Sequence, residues 1–316
     1  MRLLVINNKS SGHGDNAIYD FLRIFCEDGD EVVIRNTKIG LPLSKMLKDA
    51  EDFDLVIASG GDGTVSAVCY ELRYREVPVV PYPAGTGNLL AMNLSSPEEP
   101  RAIAEMIHKE NVQHYDLAEI EFVNKEGEHR KCGFSIIAGA GYDAMIMNGA
   151  SGLKQMMGQS AYYFSALFGD KPKKAKITLN IDGRTITTSG IAVMLVNFAK
   201  ISPDISVTHV NDAQDGLLEV VVIKPERKLA LAPALLAALL DKRGQYPSRS
   251  NALEIYAGTE ISVETNPPLP IQYDGELGDA YTPLVARSLP GALKTLVDDE
   301  EIVRLETLRL FDGGKQ

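Results

Sequence analysis

The chain has 316 residues, of which 45% are hydrophobic, with 32 Lys and Arg against 43 Asp and Glu and a formal net charge of −11. This composition is that of a globular protein, and at about 150 residues per domain the length predicts two domains. The acidic balance argues against a nucleic-acid partner, because duplex-binding surfaces normally carry an excess of basic residues.

The first third of the chain alternates strand and helix signals. Short apolar runs of strand length are followed by segments whose apolar residues recur at helical spacing. The predicted strands are 3–6, 31–35, 55–58 and 79–82, and the predicted helices cover 18–25, 43–50 and 65–72. This alternation predicts a doubly wound, Rossmann-like α/β domain with a parallel sheet. Such sheets bind ligands beyond the carboxyl ends of their strands.

From about residue 117 the pattern changes to many strands with few helices. The predicted strands are 120–123, 133–138, 176–188, 191–198, 217–223, 260–265 and 271–273, with one helix over 227–240. Asp182-Gly183 lies between two alternating runs and predicts a tight hairpin turn. We therefore expect a β-rich antiparallel sandwich over 118–289, after an α/β domain over 1–117. The tail, 290–316, returns to helix-like character and is expected to pack on the first domain.

The cysteines and the longest apolar run predict a cytoplasmic protein. Cys26, Cys69 and Cys132 are too widely spaced for a disulfide framework or a zinc knuckle. The apolar stretch 229–240 falls well short of the roughly 20 residues that span a bilayer. We expect no transmembrane segment and at most a peripheral contact with a membrane, for which a chain of this charge needs a local basic patch. Arg73 with Arg75 is one candidate patch and the lysines of 171–174 are another.

A glycine-rich turn after the third predicted strand carries the strongest functional signal. It has the sequence Gly60-Gly61-Asp62-Gly63-Thr64 and leads directly into a predicted helix. Glycines allow the backbone amides to approach an oxyanion closely, and the helix N-terminus adds a positive end. This arrangement predicts a phosphate-binding loop. An aspartate inside an anion site is explained if it acts through Mg²⁺ or through a hydrogen-bonded acidic network.

This pentapeptide resembles the signature of diacylglycerol kinases, sphingosine and ceramide kinases and the bacterial lipid kinases. Three further segments match motifs of that family in order and spacing: 83–88 (Pro-Ala-Gly-Thr-Gly-Asn), 7–12 (Asn-Asn-Lys-Ser-Ser-Gly, with Asn8 where Pro is usual) and 274–276 (Asp-Gly-Glu). The resemblance covers essentially the whole chain. It implies ATP-dependent phosphorylation of a lipid hydroxyl, with the lipid presented at a membrane surface, and a homodimer is compatible with it.

The resemblance also implies the residues of the ATP site. They are Thr37, Gly60, Gly61, Asp62, Gly63, Thr64, Gly85, Thr86, Asn88 and Asp116. Besides Asn8, the chain departs from the family pattern in two segments. Leu89 stands where a third carboxylate of the acidic network is usual, and Ser66-Ala67 replaces a common Asn-Glu pair. These departures affect details of nucleotide or substrate binding and leave the phosphate loop itself in place.

A second acidic segment, 211–217, matches a loop that holds a structural Mg²⁺ in bacterial members of the family. Asp215 would supply a side-chain oxygen, with Asp212 and the Leu217 carbonyl nearby, and a hard cation bound by few protein oxygens plus waters suits Mg²⁺. An acidic β-turn is the alternative. Gly139–Asp143 resembles a small-residue turn that lines the cleft between the domains. The aromatic set over 162–168 is either core or an acyl-chain contact.

The resemblance points to Asp274 and Glu276 as the catalytic carboxylates. In a continuing strand two residues that are two positions apart share a face. Two close carboxylates should raise one pKa toward a value that suits a proton acceptor. Glu276 is preferred as the base, with Asp274 as its partner or alternate.

Two other functions stay open from the sequence. An NAD kinase should carry an Asn-Glu pair and a Thr-Pro-Thr-Gly-Ser-Thr-like stretch in its second domain, and neither is present. The departures at Leu89 and Ser66-Ala67 also allow a nucleotide- or lipid-binding relative without turnover.

Overall fold

The computed structural model describes residues 1–9, 17–27, 29–85, 87–141, 174–202, 205–208, 211–224 and 253–312. The chain divides into two compact units: Met1–Leu117 with Asp212–Asp215 and Pro290–Gln316, and Ala118–Asn211 with Gly216–Leu289. The predicted helix over 227–240, the aromatic set over 162–168, and Tyr142 and Asp143 lie outside the described residues. Within the described ranges, no helix combines the length and apolar character that a membrane span requires.

The first unit is built on a four-stranded parallel sheet in the order β2-β1-β3-β4. The strands are β1 (Arg2–Asn7), β2 (Glu31–Asn36), β3 (Leu55–Gly60) and β4 (Val79–Pro83). The described helices are α1 (Ala17–Glu27), α2 (Leu43–Met46), α3 (Asp62–Glu71), α4 (Leu89–Asn93), α5 (Pro100–Lys109) and α6 (Asp299–Asp312), with a 3₁₀ turn at Ala50–Asp52. The strand order reverses between β1 and β3, which is where ligands bind in sheets of this type. The predicted α/β architecture is confirmed.

Both faces of this sheet are buried, because its strands are almost continuously apolar. On one face, Leu3 of β1 and Ile57 of β3 pack in a cluster with Phe21 and Phe25 of α1 and Ile107 of α5. The intervening residues, Leu4, Ile6, Val56 and Ala58, point to the opposite face and are also fully buried. The other face is therefore covered as well, and α3 packs against β3.

Four of the described helices differ from the sequence prediction. The segment 43–50 forms only the four-residue α2, since Leu47 leaves helical geometry with φ −109° and ψ 11°. Helix α3 begins at Asp62, three residues earlier than expected, because Gly61 with φ −77° and ψ 171° occupies the N-cap position. Helices α4 and α5 were not predicted, although Pro100 at the first turn of α5 is a typical helix-start signal.

The second unit is an antiparallel sheet that curls around one core. The sheet has 11 strands. Nine of them are neighbours in the spatial order β14-β13-β10-β7-β16-β17-β15-β8-β9, while β5 pairs with β17 and β6 pairs with β5. The strands are β5 (Val112–Asn124), β6 (His129–Phe134), β7 (Ile137–Gly141), β8 (Ala175–Ile181), β9 (Arg184–Gly190), β10 (Ala192–Val196), β13 (Leu218–Ile223), β14 (Leu253–Gly258), β15 (Glu260–Asn266), β16 (Pro270–Tyr273) and β17 (Glu276–Leu296). A separate two-stranded ribbon pairs β11 (Lys200–Ser202) with β12 (Ile205–Ser206). Residues from both halves of the curled sheet, such as Leu179 and Val220, share one buried cluster. The predicted antiparallel sandwich is thus confirmed.

Two glycine turns predicted in this unit have different outcomes. Asp182-Gly183 forms the two-residue hairpin loop between β8 and β9, with φ values of 49° and 85°. Gly139 and Gly141, in contrast, lie within β7 and do not form the predicted turn. A Cβ at Gly139 would lie 2.3 Å from the Val193 carbonyl oxygen. Glycine is needed here because the neighbouring strand β10 approaches closely, and no chain reversal occurs.

The C-terminal tail packs on the first unit, as the fold prediction required. Leu296 belongs to the cluster under α1 and α5, and the Tyr74 N–H donates to the Ala292 carbonyl. Glu301 of α6 is completely buried and accepts hydrogen bonds from Tyr115 and Arg304. This buried polar cluster fixes the start of α6 against the α/β unit.

Candidate functional site

The polar residues of the first unit gather where the parallel strands end. After β1, the Asn8 N–H donates to the Ser59 carbonyl of β3 at 2.8 Å, and the Thr37 N–H after β2 donates to the Asn7 carbonyl at 2.9 Å. The Asn7 side chain accepts from the Ser59 hydroxyl and donates to Asn36. These bonds hold three strand ends together at the edge that the sequence predicted as the ligand site.

The two glycine motifs of the first unit pack directly against each other. A Cβ at Gly85 would lie 2.9 Å from the Gly61 Cα, and a Cβ at Gly60 would lie 2.9 Å from the Thr64 Cβ. A Cβ at Gly87 would lie 2.4 Å from the Asp62 Oδ2. Glycine is required at these positions because the backbone lies too close to neighbouring atoms for a Cβ to fit. The two loops therefore pack together as one unit of structure.

Asp62 connects the two loops through a hydrogen bond that the sequence did not predict. Its Oδ1 accepts the Leu89 N–H at 2.6 Å, at the start of α4. The preceding residue, Asn88, adopts the left-handed conformation with φ 50°, and its Oδ1 accepts the Gly85 N–H at 2.7 Å. Leu89 thus contributes its backbone N–H to the acidic residue, although its side chain lacks the carboxylate that the family places there.

Asn8 is a second site residue whose role the sequence alone did not reveal. Its Nδ2 donates to the Thr64 Oγ1 at 2.8 Å, which ties the end of β1 to the first turn of α3. Helix α3 presents its N-terminal amides at this point, and such a helix end favours an anion. The asparagine that replaces the usual proline therefore holds the glycine-rich turn in position.

The remaining predicted nucleotide residues lie in different surroundings. Thr37 is half-buried directly after β2, and Thr86 lies outside the described residues. Asp116 is 1% exposed. Its Oδ1 accepts the Gly291 N–H at 2.7 Å, and its own N–H donates to the Ala213 carbonyl at 2.7 Å. In these contacts Asp116 joins three separate segments of the first unit.

The predicted metal loop is placed differently from expectation. Asp212–Asp215 belongs to the first unit, whereas the sequence assigned it to the β-rich domain. The cause is long-range hydrogen bonding, since Asp116 binds Ala213 and the Gln214 side chain donates to the His114 carbonyl. The Asp212 Oδ1 accepts the Gln214 N–H at 3.0 Å. Among the described residues, no cluster of three or more His, Cys, Asp or Glu side chains suited to a metal is present.

In the second unit, Asp274 and Glu276 lie at a hairpin and not on one continuous strand. Asp274 and Gly275 have φ values of 41° and 86° and form the two-residue loop, and Tyr273 pairs with Glu276 as the chain returns. The expectation that the two carboxylates share a strand face is therefore wrong. Asp274 belongs to the turn, and Glu276 is exposed at the first position of β17.

The Asp274 carboxylate is held by three consecutive backbone amides. Its Oδ2 accepts the Ser135 N–H at 2.6 Å, and its Oδ1 accepts those of Ile136 at 2.9 Å and Ile137 at 3.1 Å. The sequence predicted one strand over 133–138, but this strand is interrupted at Ser135 and Ile136, between the end of β6 and the start of β7. Backbone N–H groups at this interruption bind the Asp274 carboxylate, and the hairpin is anchored as a result.

Burial shifts the pKa values of several side chains in this unit, among them Tyr273 and Glu219. Burial raises the pKa of the Tyr273 phenol, with contributions from Cys132 and from the charge of Glu276. Burial also raises the pKa of Glu219, which accepts hydrogen bonds from Thr208 and Asn211 that act in the opposite direction. The neutral Tyr273 phenol is thus the near neighbour of Glu276 across the hairpin.

Two family models match consecutive parts of the chain. The diacylglycerol kinase catalytic domain matches residues 2–120, and the YegS C-terminal NAD kinase beta sandwich-like domain matches residues 136–297. Together these matches take in both units, and the second alone covers about half of the chain.

Relatives of similar length carry kinase names. The diacylglycerol kinase of Bacillus subtilis (strain 168) is 25% identical over 88% of this chain and 90% of its own length. The probable lipid kinase YegS-like of Stenotrophomonas maltophilia (strain K279a) is 26% identical over 86% of this chain and 88% of its own.

A Synechocystis protein, sll0036, is 29% identical over 78% of this chain, which spans only 55% of that longer relative.

Solved structures show the same fold. A diacylglycerol kinase from Bacillus anthracis str. Sterne superposes with a TM-score of 0.70 at 23% identity, covering 95% of this chain and 97% of that one. An NAD kinase from Archaeoglobus fulgidus in complex with ATP superposes with a TM-score of 0.52 at 13% identity, covering 98% of each chain. At these identities the likeness concerns the fold alone.

Proposed function

This chain belongs to the diacylglycerol kinase-like lipid kinase family, and from that premise we propose that it transfers the γ-phosphate of ATP to a hydroxyl of diacylglycerol or a related lipid. The observation that carries the proposal is the pair of interlocked glycine loops around Asp62, at the carboxyl edge of the sheet. Such a phosphotransferase would act in phospholipid metabolism, in the cytoplasm and in peripheral contact with a membrane.

The ATP phosphates would be bound by the backbone of the two loops. Gly61 and Gly85 approach each other so closely that a Cβ at Gly85 would lie 2.9 Å from the Gly61 Cα. Because no side chain stands at these positions, the backbone amides would be open to a phosphate. The first turn of α3, with Gly63 and Thr64, supplies further N–H donors at a positive helix end. Thr37, Thr86 and Asn88 complete the proposed nucleotide contacts, and Asp116 positions the segments behind them.

Mg²⁺ is the cofactor that the proposed chemistry needs beside ATP. The carboxylate of Asp62 is a hard oxygen donor, which suits Mg²⁺, and a bound Mg²⁺ would neutralise charge on the phosphates. A separate structural Mg²⁺ would be held by Asp215, with Asp212 and the Leu217 carbonyl, in a donor set of few oxygens completed by water. This second site is tested by the effect of Mg²⁺ on the melting temperature of Asp215→Ala. Loss of the Mg²⁺-dependent stabilisation, with ATP affinity unchanged, is expected.

Glu276 is the proposed proton acceptor. As the lipid oxygen forms its bond to the γ-phosphorus, the bond from that phosphorus to the ADP oxygen breaks and the hydroxyl proton passes to the Glu276 carboxylate. Asp274 is committed to three amides, so it is proposed to position the hairpin that carries Glu276. A carboxylate exposed at a strand start is accessible to an acceptor hydroxyl.

The decisive experiment is an ADP-release assay on a panel of acceptors. The panel contains diacylglycerol, other lipids with free hydroxyl groups, soluble polyols and NAD⁺, each with ATP and Mg²⁺. We expect turnover on a lipid and none on NAD⁺. Turnover on NAD⁺ alone would replace the lipid kinase by an NAD kinase. ATP binding without turnover on any acceptor would indicate a non-catalytic relative.

A further inference from the structure

A protruding loop of the first unit combines exposed aliphatic side chains with lysines. It follows β2 and covers residues 38–48, and we call it the basic–aliphatic loop. Ile39 is fully exposed at 108% of its reference area, and Leu41 is 41% exposed. The Leu41 N–H donates to the Lys38 carbonyl at 3.1 Å, and Gly40 has φ 81°. These values fit a type II turn with Gly40 at its third position, and the turn directs Ile39 away from the protein.

The charge of this loop is opposite to that of the protein. Between Glu31 and Asp49 the chain carries four cationic residues and no acidic one, although its formal net charge is −11. Arg35 is paired with Asp49 through two hydrogen bonds of 2.5 and 2.7 Å. Lys38, Lys45 and Lys48 are exposed and make no ion pair with any residue that the structure describes. Lys38 and Lys45 are thus available to an anionic partner, and Lys48 lies beside Asp49, on whose carboxylate its charge acts.

An open groove extends the basic–aliphatic loop along the edge of the unit. It has a volume of about 910 Å³. Its lining includes the aliphatic Ile34 and Leu41 with Lys38, Lys45 and Lys48, and also the acidic Asp49, Glu51 and Asp52. Ile34 lies on β2, which is an edge strand of the sheet, and is 39% exposed. Single exposed aliphatics need no explanation, but several that lie together among cations mark an interaction surface.

The two other candidate patches for a membrane contact are Arg73 with Arg75 and the lysines of 171–174. Both arginines are engaged within the protein. The Arg73 guanidinium lies over the Tyr70 ring and donates to the Tyr70 carbonyl at 2.7 Å. Arg75 donates to the Leu47 carbonyl at 3.1 Å. Of the candidate lysines at 171–174, Lys171 and Lys173 lie outside the described residues, and Lys174 is exposed. The basic–aliphatic loop is therefore the stronger candidate among the surfaces that the structure describes.

The position of the loop connects it with the proposed ATP site in the same unit. It starts immediately after Thr37, whose N–H is bound to the end of β1 beside the phosphate loop. Both features therefore lie at the carboxyl edge of the parallel sheet. A partner that binds the basic–aliphatic loop would therefore hold this edge of the sheet, together with the glycine loops, close to the partner's surface.

We propose that the basic–aliphatic loop docks the protein on anionic lipid bilayers, with Ile39 and Leu41 inserted among the lipid chains and Lys38, Lys45 and Lys48 on the headgroups. Apolar insertion combined with basic residues is the usual basis of peripheral membrane binding. The repulsion expected for an acidic protein falls off within a Debye length, so a local patch determines the contact. The inference rests on the proposed function only in explaining why a lipid surface is useful, and docking is measured separately from catalysis.

Vesicle sedimentation of the full chain tests the proposal directly. Wild type is compared on phosphatidylcholine vesicles and on phosphatidylcholine vesicles that contain phosphatidylglycerol, at low and high salt. Ile39→Ser should weaken binding to the anionic vesicles by about 10-fold, because one aliphatic side chain loses its burial. The matched control is Val303→Ser on α6, where Val303 is 61% exposed. Melting temperatures verify that each variant is folded.

The electrostatic half of the proposal has its own matched pair. Lys45→Glu should weaken binding by about 5-fold or more, since each basic residue near an anionic surface contributes about that factor. Arg101→Glu makes the same change of net charge at an exposed position of α5 and should leave binding unchanged. High salt should reduce the difference between Lys45→Glu and wild type.

The outcomes separate docking from the proposed kinase activity. Absence of wild-type binding to anionic vesicles, or equal binding of the loop variants and wild type, overturns docking even if a short-chain, water-soluble diacylglycerol is phosphorylated. Loop-dependent binding without phosphorylation of any lipid supports docking and overturns the proposed function. If light scattering shows that Ile39→Ser dissociates a dimer while vesicle binding is unchanged, the surface is an interface between copies and docking is overturned.

Discussion

Asp62 in the first unit and Asp274 in the second both accept backbone N–H groups, but in different surroundings. Asp62 accepts the Leu89 N–H with one oxygen, and its other oxygen lies against Gly87 in a loop packed by glycines. Asp274 accepts three amides from the break between β6 and β7. With three consecutive backbone amides as partners, Asp274 anchors a hairpin, whereas Asp62 links the two glycine loops that we propose as the nucleotide site. Similar acidic motifs therefore predict different roles.

The largest effect is expected from filling the contact between the two glycine loops. Gly85→Ala would place a Cβ 2.9 Å from the Gly61 Cα, where only backbone could move to relieve it. Thermal-shift measurements should then show no stabilisation by ATP, and Gly61→Val should behave in the same way. The control is Gly278→Ala in the second unit, whose Cβ would meet its nearest neighbours at an ordinary 3.4 Å. Unchanged ATP stabilisation of Gly85→Ala would refute the loop as the nucleotide site.

The next largest effect concerns Glu276, the exposed carboxylate of the hairpin. Glu276→Gln removes the proton acceptor but keeps the size of the side chain, so the turnover rate should fall by ~10²-fold or more. The melting temperature and the ATP-induced shift should stay at wild-type values, because Glu276 is exposed and lies in the other unit from the glycine loops. A variant that phosphorylates a verified lipid acceptor at the wild-type rate would remove Glu276 from the mechanism.

Asp274→Asn sharpens the comparison by changing the anchor. An amide side chain has one acceptor oxygen and an NH₂ group, so at least one of the three N–H groups of 135–137 loses its partner. We expect a loss of about 1–3 kcal/mol in the free energy of unfolding. Chemical denaturation measures it, with Glu276→Gln as the matched control on the same hairpin. If Asp274→Asn keeps full stability and only the rate falls, Asp274 acts in the chemistry and not as an anchor.

A smaller and purely structural effect is expected where the tail meets the first unit. Glu301→Ala leaves the buried Tyr115 hydroxyl and the Arg304 guanidinium without their shared acceptor. The unfolding free energy should fall by about 3 kcal/mol, the cost of breaking a buried charge pair, reduced where Arg304 reaches solvent. Glu300→Ala, at an exposed neighbouring position, should be neutral. Equal melting temperatures for the two variants would show that the network contributes nothing to stability.

Where local chemistry decides the conformation, the sequence predicted the structure well. The parallel strands followed from apolar runs, and the turn from β3 into α3 followed from consecutive glycines before a helix. The hairpin at Asp182-Gly183 followed from residues that tolerate positive φ. In each case the signal lies within a few residues, so one segment specifies one conformation.

Only the tertiary structure decided the features that depend on distant partners. Residues 212–215 join the first unit because Asp116 and His114 supply their hydrogen bonds, about a hundred positions earlier. Gly139 lies in a strand because β10 passes close to it. Asp274 becomes an anchor because the strand is interrupted at 135–136, next to the first residue of β7. Residue types fix which groups can form a bond, but the fold determines which of them meet, since the energy of a contact depends on the burial and spacing of both partners.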